Sequence, residues 1–186
     1  MTFGRSSRRS MGFAYGLLTA AFAWAALAGA RPAWAGDVGV RVVGEAQQPL
    51  ADVLVYLTGP GLTAAAPAEP FVMDQANLTF VPRVLPVPVG SSIRFVNGDP
   101  EMHNVNSGAV ASPFNFGLVH KGDAHSVRFD EAGVVPLLCD VHPHMRAWVV
   151  VLTTPHHAVT GTEGRVKIAD VAAGAYTLVV WREGKK

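Results

Sequence analysis

Short runs of apolar residues, many alternating with polar ones, recur along the chain from residue 38 to residue 181. A period of two places every second side chain on one face of an extended strand, so these runs predict β-strands. Clusters of Gly, Pro, Asn and Asp separate the runs and are typical of turns. The predicted strands are 38–43, 53–57, 80–84, 92–96, 125–129, 134–138, 147–152, 165–168 and 176–181.

No stretch after residue 35 has the 3.6-residue periodicity of an amphipathic helix. Regularly spaced short strands with turns between them predict an all-β fold in which two sheets pack face to face. The segment Lys121-Gly122-Asp123, just before the strand at 125–129, predicts a hairpin turn. Loops at the ends of a sandwich are held on a rigid support, so a functional site is expected there.

The N-terminal segment has a different pattern. Three arginines within the first nine residues precede an apolar stretch over 11–30, and an A-x-A pattern at 33–35 precedes Gly36. These features predict a signal peptide over 1–35 and export to the periplasm or the medium. Because about 18 apolar residues also suffice to span a bilayer, an uncleaved anchor is the alternative.

The charge of the chain changes once this segment is set aside. Four of the 15 basic residues and none of the 14 acidic ones lie in it, so the formal net charge falls from +1 to −3. No basic patch or run remains, which argues against binding to nucleic acid. We expect no membrane span after cleavage. The remaining chain of about 150 residues is long enough for one domain or two very small ones.

Cys139 is the only cysteine, and His142 and Met145 follow it at intervals of three residues. An unpaired cysteine in an exported protein invites oxidation unless it is buried or bound to a metal. Thiolate and thioether sulfurs are soft ligands and imidazole is borderline, so Cys, two His and a weak axial Met favour electron-transferring copper. His103, far upstream, is the candidate for the fourth ligand.

The spacing predicts how these residues are presented. Three ligands so close together cannot all come from one regular alternating strand, so Cys139, His142 and Met145 must lie in a tight loop. Pro143 stiffens that loop by fixing one backbone dihedral. His103 follows the strand at 92–96 and a turn cluster, so we expect it on a strand-end loop that meets the ligand loop.

Two alternatives for the ligands remain open. His144 lies two residues after His142 and would replace it if the register of the loop shifted by two. Met102, directly before His103, is an alternative thioether to Met145. Outside the loop the histidines show no H-x-H pair of the kind that a multi-copper oxidase needs, which argues against an enzyme.

Between about residues 71 and 152 the chain resembles the cupredoxins, the small blue copper proteins of the amicyanin and plastocyanin type. The C-x2-H-x2-M loop has the amicyanin spacing, and further likeness lies in the His-Asn-Val segment from His103 and in the closing strand at 147–152. The resemblance implies a cupredoxin-like Greek-key β-sandwich over 69–152 that holds one type 1 copper ion. The ligands it implies are His103, Cys139, His142 and Met145.

The resemblance also implies a function. A copper ion with four protein ligands has no vacant position for substrate, so we expect an electron carrier whose partner is a redox protein, a dehydrogenase or a cytochrome. Asn104 is a candidate to brace the two ligand loops through its amide. Two alternatives remain: a copper carrier or sensor, and an extracytoplasmic interaction module with a structural or vestigial metal site.

The two ends of the chain after the signal resemble halves of a second module. Residues 38–55 resemble the start, and residues 159–180 the end, of carboxypeptidase-regulatory-like domains, which have a transthyretin-like β-sandwich fold. We therefore expect 36–68 and 153–186 to form a small sandwich into which, or beside which, the copper domain is placed. The alternative is that these outer strands extend one larger sandwich.

Overall fold

A computed structural model describes residues 35–110 and 112–184, which form strands, turns and bends without a helix. The all-β prediction is therefore confirmed for the described part of the chain. The strands are β1 (Ala35–Arg41), β2 (Leu54–Thr58), β3 (Phe71–Ala76), β4 (Thr79–Val81), β5 (Val84–Pro88), β6 (Ser91–Asn97), β7 (His103–Ser107), β8 (Phe114–Val119), β9 (Ala124–Phe129), β10 (Gly133–Leu138), β11 (Arg146–Leu152), β12 (His157–Val159), β13 (Arg165–Ala172) and β14 (Thr177–Trp181).

Each predicted run overlaps an observed strand, but four strands were not predicted. These are β3, β7, β8 and β12, and the predicted run at 80–84 is divided between β4 and β5. In β7 the sequence His-Asn-Val-Asn-Ser is polar at four of five positions, so it lacks the alternation that marks a half-buried strand. Four of the five residues of β7 are nevertheless buried, because the strand lies between two others in its sheet.

Two sheets form the larger sandwich. One has the order β4-β3-β6-β9 and the other the order β5-β11-β10-β7-β8. Each is mixed, with one parallel pair, β3 with β6 and β5 with β11. Apolar side chains from both sheets meet in one core, which includes Met73, Phe95 and Phe129 from the first sheet and Val105 and Val149 from the second.

The strands at the two ends of the chain assemble two smaller sheets. β1 pairs with β13, and β12-β2-β14 forms a three-stranded sheet. Between them lies a separate apolar cluster that includes Val55, Leu57, Ile168 and Val171. This pairing of early with late strands is what the predicted halves 36–68 and 153–186 require, although all described residues from 35 on form one compact unit.

A third apolar cluster joins the terminal strands to the larger sandwich. Leu54 and Tyr56 of β2 pack with Val84, Val150 and Leu152 of the five-stranded sheet. The opposite face of β2 packs in the apolar cluster of the terminal strands, and the opposite face of β11 packs in the core of the larger sandwich. β2 and β11 are thus buried on both faces, which explains why both read as continuous apolar runs rather than alternating ones.

The turn at Lys121–Asp123 corrects one prediction. The Asp123 N–H donates to the His120 carbonyl over 3.0 Å, so a turn is present. It does not close a hairpin, because β8 pairs with β7 whereas β9 pairs with β6 in the other sheet. A chain that crosses between the layers of a sandwich needs the same turn residues as a hairpin, so the sequence does not distinguish the two cases.

The predicted signal peptide over 1–35 lies outside the described residues, except for Ala35, the first residue of β1. Within the described ranges no helix is long and apolar enough to cross a membrane.

Candidate metal centre

The candidate ligands lie at one end of the larger sandwich. β10 ends at Leu138 and β11 begins at Arg146, and these two residues are directly paired. The segment between them, which carries Cys139, His142 and Met145, is therefore a closed loop, as the spacing predicted. Within it the Met145 N–H donates to the His142 carbonyl over 2.8 Å, which folds the loop back toward the sheet.

The sequence predicted that His103 lies in a loop, but it is the first residue of strand β7. It approaches the ligand loop because β7 pairs with β10, with Asn106 opposite Leu138. A position within a sheet holds the imidazole more firmly than a loop does, and the His103 side chain is fully buried.

Two imidazoles and the thiol converge on one point. The Nδ1 atoms of His103 and His142 are 3.0 Å apart, with ring planes inclined at 63°. Ligand atoms of His103, His142 and Cys139 all lie within 4.8 Å of one another. Cys139 is buried and His142 only partly so. The structure thus brings together three of the four predicted ligands from two separate elements.

Met145 and the two alternative ligands differ in burial. Met145 is 1% exposed and belongs to the same core cluster as Cys139, whereas Met102 is 45% exposed. His144 is exposed, and its Nε2 lies 3.2 Å from the Leu78 carbonyl. Met145 therefore faces the core of the sandwich, whereas the alternative ligands Met102 and His144 face solvent.

Asp99 is a partner of His103 that the sequence did not reveal. Its Oδ2 lies 2.8 Å from Nε2 of His103, and its carboxylate also accepts the N–H groups of Asn77 and Leu78 over 2.6 and 2.8 Å. Burial raises the pKa of Asp99, but the hydrogen bonds from Leu78, His103 and Asn77 outweigh it, so the pKa is lowered from 3.8. Asp99 is therefore a carboxylate that accepts a hydrogen bond from the Nε2–H group of His103, which leaves Nδ1 of His103 as the unprotonated nitrogen with the lone pair.

Asn97 holds the loop that carries Asp99. Its Nδ2 donates to the carbonyls of Glu101 and Val119 over 2.8 and 2.9 Å, and its Oδ1 accepts the Asp99 N–H. Because this buried amide bonds three backbone groups, two of them between β6 and β7, it fixes the path of the chain from the end of β6 to His103.

Asn104 contacts the ligand loop as the sequence predicted. Its backbone N–H donates to the Cys139 Sγ over 3.4 Å, and its side-chain Oδ1 accepts the Asp140 N–H over 3.4 Å. A hydrogen bond to sulfur stabilises the thiolate form of a cysteine. These contacts link Asn104 to the ligand loop, and its role as a brace between the two ligand elements stays a prediction.

The described strands and the relatives of the chain together support a cupredoxin-like fold. The relatives are amicyanins. The chain is 29% identical to the amicyanin of Paracoccus versutus over 126 residues, which cover 66% of this chain and 85% of that protein. It is 34% identical to the amicyanin of Paracoccus denitrificans over 83 residues, or 43% of this chain and 63% of that protein.

Among solved structures, an amicyanin variant in its reduced Cu(I) form at pH 4 is similar, with 29% identity and a TM-score of 0.43. The match covers 52% of this chain and 99% of that chain. No family model matches the chain.

Proposed function

We propose that this chain is a copper protein that carries single electrons, with His103, Cys139, His142 and Met145 as the ligands of one type 1 copper ion. The observation that supports this most directly is the convergence of two imidazole nitrogens and one thiol within 4.8 Å. The similarity to amicyanins over much of their length supports the same proposal.

The donor atoms fit copper. Nitrogen from imidazole together with sulfur from thiolate and thioether is the donor set of copper sites that transfer electrons. Asp99 occupies Nε2 of His103, so only Nδ1 is left to face a metal, and that atom points at Nδ1 of His142. Bound copper supplies a one-electron couple between Cu(I) and Cu(II).

The residues of the chain contribute order and exclude water. His103, Cys139 and Met145 are buried, and the hydrogen bonds of Asp99 and Asn104 hold two of them in place before any metal binds. A site that is ordered in advance changes little when its charge changes, which favours rapid electron exchange. This argues for an electron carrier and against an enzyme that must open a position for substrate.

The ligand loop also offers a docking surface for a redox partner. His142 is only partly buried, its neighbour Val141 is 44% exposed, and Pro143 is exposed. An apolar rim beside a ligand suits weak, small-area contacts of the kind that redox proteins make. We propose a dehydrogenase or a cytochrome as the partner, and a periplasmic or secreted location that follows from the signal predicted at 1–35.

The terminal strands are proposed to be a carboxypeptidase-regulatory-like module built from 36–68 and 153–186, with the copper domain at 69–152 between its halves. Two features support this division. The terminal strands pair with one another in two small sheets, and they have an apolar cluster of their own.

The test is an absorption spectrum of the purified protein after loading with copper. A strong band in the orange-red, from charge transfer between thiolate and copper, is expected for the wild type and should be absent in Cys139→Ser. His144→Ala and Met102→Leu are the matched controls, because each removes an alternative ligand, and both should keep the band.

Voltammetry then separates the two copper functions. Fast, reversible oxidation and reduction supports an electron carrier. A wild-type protein that binds copper without the band, or whose couple is irreversible, would contradict electron transfer and favour a copper carrier or sensor.

A further inference from the structure

The pairing of β7 with β8 contains a bulge beside the candidate metal centre. Asn104 is opposite Leu118 and Asn106 is opposite Asn115, so β8 has one residue more than β7 between these pairs. Gly117 lies in this extra segment with a φ of 67°, a conformation that glycine adopts without strain. Such bulges change the direction of the groups around them. Here the Asn115 side chain and the Gly117 carbonyl both contact the Asn104 side chain.

All four hydrogen-bonding positions of the Asn104 carboxamide are used. Its Nδ2 donates to Asn115 Oδ1 over 2.8 Å and to the Gly117 carbonyl over 3.0 Å. Its Oδ1 accepts from Asn106 Nδ2 over 2.6 Å and from the Asp140 N–H over 3.4 Å. Because a carbonyl only accepts and a backbone N–H only donates, Gly117 and Asp140 fix which end of the amide is oxygen.

We propose that Asn106 and Asn115 are positioning residues that hold the Asn104 carboxamide in one orientation and thereby order the Cys139–Asp140 end of the ligand loop. The inference deepens the proposed copper site and rests on it for its functional meaning. If either partner is lost, the amide can rotate, and the Asp140 N–H then loses its acceptor. The segment that presents the Cys139 Sγ becomes more mobile as a result.

Asn115 acts on the Asn104 side chain as a hydrogen-bond acceptor, and Asn106 acts on it as a donor. Asn115 acts only through its oxygen, which accepts from Asn104 Nδ2 and also from the Gly117 N–H over 2.8 Å. Asn106 acts through its NH₂ group, which donates to Asn104 Oδ1. Replacement of Asn by Asp keeps the shape and the oxygen but removes the donor, so the same substitution should be tolerated at position 115 and not at position 106.

This pair of variants is its own matched control, because each adds the same charge to the same face of one sheet. The measurement is the rate at which a thiol reagent modifies Cys139 in the metal-free protein at pH 8. Since Cys139 is buried, modification requires the loop to open. We expect Asn106→Asp to raise the rate about tenfold, as loss of one partly buried hydrogen bond allows, and Asn115→Asp to change it less than about twofold.

Asn115→Leu removes the acceptor and should raise the rate about threefold or more, since the residue is exposed and its bond is weaker. In the copper-loaded protein the thiolate band should shift or broaden in Asn106→Asp and Asn115→Leu and keep its position in Asn115→Asp. Equal rates for the two Asp variants, or wild-type rates for Asn106→Asp and Asn115→Leu, would overturn the proposal.

A measurement on the wild type covers the case in which a variant does not fold. The Asn104 side-chain NH₂ protons should exchange with solvent more slowly than those of exposed Asn77 in the metal-free protein, as observed by NMR. Exchange as fast as at Asn77 would also overturn the proposal. If the wild type shows no thiolate band, the copper function fails, but these metal-free measurements still decide the roles of Asn106 and Asn115.

Discussion

The two ends of this molecule are held together by different interactions. Around the ligand loop, Asn97, Asp99, His103 and Asn104 are all buried, and each has hydrogen bonds to backbone or side-chain groups. The terminal strands have an apolar cluster of their own, and among the described residues the polar side chains they bury are two threonines, Thr154 and Thr160. Their ion pair, Lys167 with Asp37, is exposed. The ligand end therefore buries ionisable and amide side chains, whereas the terminal strands bury apolar side chains and two hydroxyl groups.

Burial of polar groups is unfavourable unless each has a partner, so an apolar core is the simpler way to stabilise a sandwich. The ligand end uses the less simple way because imidazole and carboxylate must be present and must be fixed. A fully bonded polar network gives one defined arrangement of side chains, which a metal site needs. The described terminal strands have no such requirement, and apolar packing together with the hydrogen bonds of buried Thr160 to Val53 and Leu50 holds them.

The largest effect is expected where the terminal strands meet the larger sandwich. Leu54 is fully buried in the joining cluster, so Leu54→Ala should lower the free energy of unfolding by about 2–5 kcal/mol. Leu178→Ala, at an exposed position of the neighbouring strand β14, is the control and should change it by less than about 0.5 kcal/mol. Urea unfolding of the metal-free protein measures both.

The same experiment tests whether the two regions unfold together. We expect one transition whether it is followed by tryptophan fluorescence or by exposure of the Cys139 thiol. Two separate transitions would show that the terminal strands form an independent domain, which unfolds separately from the domain that carries the ligand loop.

The second prediction concerns the polar network. Asp99→Ala removes the acceptor of three donors, of which His103 Nε2 is buried, so it should destabilise the metal-free protein by about 3 kcal/mol and weaken copper binding about 10- to 100-fold. Asp130→Ala breaks an exposed pair with Arg128 and should have almost no effect on either property. Equal effects of the two substitutions would show that the ligand end does not depend on buried polar contacts.

A smaller effect is expected from His157 in β12. Burial lowers its pKa below 6.5, the Thr154 backbone opposes this, and His156 adds to it. A lowered pKa means that the unfolded chain binds more protons, so this residue makes the protein less stable as the pH falls below about 6.5. The urea midpoint should therefore fall less between pH 7.5 and 5.5 in His157→Gln than in the wild type.

His120→Gln, at an exposed position after β8, is the control for this pH dependence and should behave as the wild type. If His157→Gln and the wild type lose the same stability over this range, then His157 is not the group in the terminal half that responds to pH.

The smallest effect is expected from Arg83 and Glu183, an ion pair between the two regions. Both side chains are largely exposed, at 48% and 39%, so Glu183→Ala should change the free energy of unfolding by less than about 0.5 kcal/mol. A loss above about 1.5 kcal/mol in a urea titration would mean that charge, rather than apolar contact, holds the regions together.

Much of the candidate site could be predicted because its ligands are chemically distinctive and close in sequence. Cys139, His142 and Met145 share one loop, so their spacing alone implied that they meet. His103 was found by its residue type and by the resemblance, yet its place at the start of β7 was not predicted. The strand is polar, and polarity without alternation is not a strand signal in the sequence.

The supporting residues were harder to find. Asp99 lies four positions before His103 in a segment that the sequence marked only as a turn, and turn residues are common without any such role. Asn106 and Asn115 became partners of Asn104 through a bulge at Gly117. No single-sequence pattern predicts which neighbouring strand of a sheet will supply a hydrogen-bond partner.

The sequence by itself determined the strand-forming character of the chain, the closed ligand loop and the chemical identity of its donor atoms, because these depend on residue type and on short-range spacing. Tertiary structure decided which donors meet, which of them are buried, and how the ends of the chain pack on the five-stranded sheet. Those outcomes depend on strand order and register, and both follow from the burial of all apolar surfaces at once rather than from any local pattern.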